Sequence, residues 1–117
     1  MWKLATTEWF EADRVRYEKK HSRELAAVIN NVSRYVQALN CSKLASFVRA
    51  GYLRPEGGGV VAVDQSAGGG ALQATRLYTY ADQTEKTLWL IAIGDKQTQP
   101  KDIQQSKRFV ADNFRGR

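Results

Sequence analysis

One cysteine, one histidine and two prolines are all that this chain of 117 residues holds of those three types. A single cysteine, Cys41, excludes an intrachain disulfide and suits a reducing compartment. Cys41 and His21 together cannot complete a Cys/His zinc site, so the expected chemistry uses no metal and no cofactor, and any histidine dyad must use His21. Long apolar runs are also lacking. Nothing approaches the roughly 20 consecutive apolar residues of a membrane span, and Glu8, Glu11 and Asp13 follow Met1 too soon for a signal peptide. A cytoplasmic protein that makes no membrane contact is expected. Neither glycine triplet, 57–59 or 68–70, leads into a phosphate loop or a dinucleotide fingerprint, and no Gly-x-Ser-x-Gly elbow occurs.

What is abundant is positive charge. Lys and Arg number 18 against 12 Asp and Glu, a net charge of +6, which favours a polyanionic or acidic partner. The excess lies at the two ends: residues 1–54 balance at +5, 55–100 at −2 and 101–117 at +3. The length suits one domain with one core.

A short strand at residues 2–6 is expected to precede a helix from Glu8 to Lys20, capped by Thr7 and with Trp9, Val15 and Tyr17 inward. Ser22 reads as a second N-cap, after which Leu25, Val28, Ile29, Val32, Tyr35, Val36 and Leu39 recur at helical spacing. The break at His21 and Ser22 predicts an antiparallel helical hairpin. Leu44, Phe47 and Val48 permit a short helix stopped by Gly51. Strands are predicted at Val60–Gln65, Leu72–Tyr80 and Thr87–Ile93, with the glycine triplets and Asp82–Lys86 as turns. Pro100 suits the first turn of a last helix bearing Ile103, Val110 and Phe114. The expected fold class is α+β, an N-terminal helical hairpin packed on a small antiparallel β-sheet, with a C-terminal helix.

Alternation in the second of these strands puts Leu72, Ala74, Arg76, Tyr78 and Tyr80 on one face. A guanidinium emerging among aromatic rings offers a planar, permanently charged fork to a phosphate, and Lys96, just past the next strand, can reach the same patch. The plainer alternative for Arg76 is a salt bridge to Asp64 or Asp95. Arg16, Lys19, Lys20 and Arg23 recur at helical spacings, and on a common face they could grip RNA backbone; otherwise they are a solvated face. His21, at the interhelical turn, reads as a surface or capping residue.

The segment from Thr75 to Gln105, TRLYTYADQTEKTLWLIAIGDKQTQPKDIQQ, places an Arg-x-Tyr strand, a turn, an apolar strand and a Gly-Asp-Lys loop before a helix. In this it resembles the addiction-module killer proteins of the RelE/ParE superfamily, over about a quarter of the chain. The resemblance implies the toxin of a type II toxin-antitoxin system, held by a cognate antitoxin and cutting mRNA on the ribosome by metal-free 2′-hydroxyl attack. The resemblance also allows a ParE-like inhibitor of DNA gyrase that cuts nothing, or a degenerate member that only binds RNA or protein. For a nuclease, Arg76 and Lys96 would stabilise developing charge, with Tyr78 or Tyr80 orienting a base or ribose. Where the killer proteins carry a Glu-Leu-Arg-like stretch, this chain has Ala62, Val63 and Asp64; Arg54 or Arg49 is the candidate replacement for the second arginine.

Overall fold

The computed structural model describes residues 1–65 and 72–114. The elements run β1 (Lys3–Thr6), α1 (Glu8–Lys20), α2 (Ser22–Asn40), a single 3-10 turn (Ala45–Phe47), β2 (Leu53–Gly57), β3 (Val60–Asp64), β4 (Arg76–Asp82), β5 (Thr87–Gly94) and α3 (Gln99–Phe114). The fold is α+β, and the five strands form one sheet in the order β1-β5-β4-β3-β2. β1 lies parallel to β5 and every other pair is antiparallel. The sheet is therefore mixed and larger than the small antiparallel one expected. The additional strand β2 contains Pro55 and a bulge, features an edge strand tolerates because its outer side has no partner to lose.

The sheet separates two apolar layers. On one face Phe10 and Tyr17 of α1, with Leu25, Val28, Val32, Tyr35 and Leu39 of α2, meet Val63, Leu77, Leu88, Leu90 and Ile93. On the other, Val110, Ile103, Phe109 and Phe114 of α3 cover Val60, Ala62, Tyr78, Ile91 and Ala92. Strands buried on both faces read as nearly continuous apolar runs, as β5 does from Leu88 to Ile93.

Several local expectations change. Thr7 caps α1, its hydroxyl accepting the Phe10 N–H at 3.1 Å, but Trp9 and Val15 are exposed and Phe10 is buried. Apolar periodicity could not phase a helix whose buried stripe is only Phe10 and Tyr17. Ser22 is the first residue of α2, and His21 stands at the N-cap without a side-chain hydrogen bond. Between Cys41 and Leu53 the chain makes only the 3-10 turn, tied to the sheet through the Ala45 N–H and the Gln83 side chain at 2.7 Å. Residues 72–75 precede β4 rather than belonging to it. Gly57, Gly58 and Gly59 all have positive φ, as their turn requires, and a Cβ on Gly59 would meet the Tyr80 ring at 2.9 Å. The predicted turn at 68–70 lies outside the described residues. No helix among the described residues is long and apolar enough to cross a membrane.

Candidate nucleic-acid interface

Asp64 and Arg76 are direct partners in the β3–β4 ladder, and Arg76 in turn stands opposite Gly94 of β5. The Arg76 Nε lies 3.2 Å from Asp64 Oδ1. That carboxylate oxygen is buried and accepts no aligned hydrogen bond, so the pair is held by charge more than by geometry. Arg54, on the same face of β2, closes on Asp64 Oδ2. The plainer reading of Arg76 is thus realised, with an addition: two guanidinium groups share one carboxylate, leaving the cluster a net positive charge. Arg76 makes this contact through Nε, and it has no second ion-pair partner among the described residues.

The Gly94–Asp95–Lys96 loop continues the cluster. A Cβ on Gly94 would run into the Asp102 carboxylate and the Thr98 hydroxyl, so glycine is required for α3 to begin this close to the sheet. Asp95 Oδ1 accepts the N–H groups of Gln97 at 2.9 Å and Thr98 at 3.1 Å, an Asx turn that fixes the loop. The Thr98 hydroxyl donates to Asp102 Oδ2 at 2.6 Å. Burial pushes the Asp102 carboxyl above the ordinary aspartate range, against the Thr98 hydrogen bond that lowers it. Gly94 and Asp95 are therefore structural, while Lys96 stays exposed beside a hollow formed with Gln73, Ala74, Asp95 and Gln97.

A second hollow of about 350 Å³ lies on the other side of the loop, lined by Arg16, Tyr17, Lys20, His21, Gly94, Asp95 and Thr98. The basic end of α1 and the Gly-Asp-Lys loop are thus neighbours, which no sequence spacing indicated. Lys19 and Arg23 are exposed but line neither hollow. Arg16 is also paired, its Nη2 lying 2.8 Å from Asp13. Tyr17 forms the back wall, its phenol pushed up to about 12 by burial first and then by Asp95.

The two strand tyrosines are placed differently from Arg76. Tyr78 is fully buried beneath α3, its hydroxyl has no hydrogen-bond partner among the described residues, and burial raises its pKa. It offers no ring face to a base while α3 is seated. Tyr80 stacks on Phe114 with centroids 4.7 Å apart, and four residues of strand set it about 13 Å along from Arg76. Tyr80 therefore lies away from the arginine cluster, while the buried Tyr78 phenol is close enough to feel the charges of Arg76 and Asp64.

Arg34 was missed in sequence. Its guanidinium sits over the Tyr52 ring at 4.6 Å and donates to Asn31 Oδ1 at 3.1 Å. Asn31 in turn donates to the Asp64 carbonyl at 2.7 Å. Arg34 therefore belongs to the same end of the sheet as Arg54, Arg76 and Lys96, supplied from the opposite face. No group of His, Cys, Asp and Glu among the described residues is arranged to hold a metal ion. Comparison with known proteins found no family model, no curated protein and no solved structure matching this chain.

Proposed function

We propose that this chain is an RNA-directed toxin of the RelE/ParE kind, restrained by a cognate antitoxin and acting on the ribosome-bound message. One observation carries the reading: Arg54 and Arg76 meet on one carboxylate beside the loop that holds Lys96, with the basic end of α1 on the loop's other side. Clustered cations from separate segments suit an RNA backbone, whose phosphates supply closely spaced negative charge. Arg54 takes the place of the arginine that β3 lacks. In the cleavage reaction the ribose 2′-hydroxyl gives its proton to water as its oxygen bonds to the adjacent phosphorus, and the 5′-oxygen leaves and takes a proton from water, forming a 2′,3′-cyclic phosphate and a 5′-hydroxyl. Arg76 and Arg54 bear the charge gathering on the phosphate, at the cost of their bond to Asp64.

The same carboxylate favours a second reading. A guanidinium pair already sharing Asp64, with no exposed strand tyrosine beside it, suits a protein that binds RNA without cutting it. Expression of the chain alone in a bacterial host is expected to arrest growth, with relief on co-expression of the antitoxin. Normal growth at confirmed expression of folded protein would leave the binding-only reading.

A further inference from the structure

We propose that the hollow between the end of α1 and the Gly94–Thr98 loop is a binding subsite for one phosphate group of a nucleic acid, held by Arg16, Lys20 and His21. The inference rests on the RNA reading and adds to it a ligand group and a place. Arg16 and Lys20 are four residues apart, on one face of α1, and both line the hollow with His21. His21 leaves the helix at φ −139° and ψ 49°, and its ring rests against Tyr17 at a centroid distance of 5.3 Å. That places an imidazole, an ammonium and a guanidinium around a single concavity.

Four carboxylates stand near this hollow, and each is engaged. Asp13 pairs with Arg16. Asp95 Oδ1 accepts two backbone N–H groups. Asp102 is bonded to Thr98, and burial favours its neutral form. Glu24 accepts the Gln73 N–H at 3.1 Å. Lys20, by contrast, has no ion pair among the described residues. An arriving phosphate therefore finds Lys20 and His21 directly, and takes Arg16 in exchange for an exposed Asp13 contact worth little in water. The negative end of the α1 dipole is offset by Lys19 and Lys20 in its last turn, and α2 opens at the same junction without a side-chain cap.

His21 is the only histidine, so its imidazole gives a single set of NMR signals. The test titrates the isotope-labelled full chain with a short RNA oligonucleotide, once with a 5′-terminal phosphate and once without. Saturable shifts of the His21 signals are expected, and Arg16→Ala with Lys20→Ala is expected to weaken the affinity read there at least tenfold. The Arg76 and Lys96 signals should still respond in that variant. A response to both oligonucleotides assigns an internal phosphodiester, and one confined to the 5′-phosphorylated oligonucleotide assigns a terminal phosphate. A silent His21 beside responding Arg76 and Lys96, or unchanged affinity in the double variant, overturns the subsite and leaves RNA binding standing. Silence at all three overturns RNA binding itself.

Discussion

Arg76 Nε and Asp64 Oδ1 face each other at 3.2 Å across the β3–β4 ladder, while Arg54 occupies the carboxylate's other oxygen. Asp64 therefore competes with any phosphate for both arginines. Asp64→Asn is expected to raise affinity for single-stranded RNA several-fold and to steepen its fall with salt, because two freed cations displace more counterions from the backbone. Fluorescence anisotropy over a salt series reads both quantities. Weaker binding in Asp64→Asn would mean that the carboxylate organises the arginines instead of restraining them.

Gly94 admits no side chain, because a Cβ there meets the Asp102 carboxylate and the Thr98 hydroxyl. Gly94→Ala is expected to cost about 1–3 kcal/mol, the usual penalty for overpacking, in a urea unfolding curve. An unchanged midpoint would show that the start of α3 yields without cost.

Tyr78 is the reverse case, a large side chain whose hydroxyl is buried without a partner among the described residues. Tyr78→Phe removes only that oxygen, and stability is expected to hold or to rise by about 1 kcal/mol. A loss of similar size would reveal a hydrogen bond to the phenol.

The Asp102 carboxyl has its folded-state pKa raised by burial, so its neutral form is the one the fold prefers. Its contribution is intact below the ordinary aspartate pKa of about 4 and is lost as pH rises through the raised value. Relative to Asp102→Asn, the wild-type chain is expected to lose thermal stability as pH rises from about 4 through the raised value. Parallel melting-temperature profiles for the two proteins would contradict this.

The elements with strong local signals were legible in the residues. Leu25 to Leu39 phased α2, Thr7 marked the start of α1, and the apolar run at Leu88–Ile93 marked a strand buried on both faces. β2 was not legible, since Pro55 and the bulge beside it break strand alternation and only pairing with β3 makes the segment a strand. For the candidate site, Arg76 was picked out with Asp64 as its possible partner, and Lys96 as its neighbour. Tyr78 was placed on the correct face, but α3 covers that face, a fact of tertiary packing. Arg34 escaped because it reaches the cluster through Asn31 and Tyr52, contacts that join separate elements and leave no spacing in the chain.

The most direct measurement is a reconstituted bacterial translation reaction in which message integrity is followed after adding the purified chain. Fragments ending in a 2′,3′-cyclic phosphate are expected on the ribosome-bound message and not on free message, with Arg76→Ala reducing the cleavage rate far more than ribosome affinity. An intact message with translation undiminished, at concentrations where the chain is folded and in excess over ribosomes, would contradict the account.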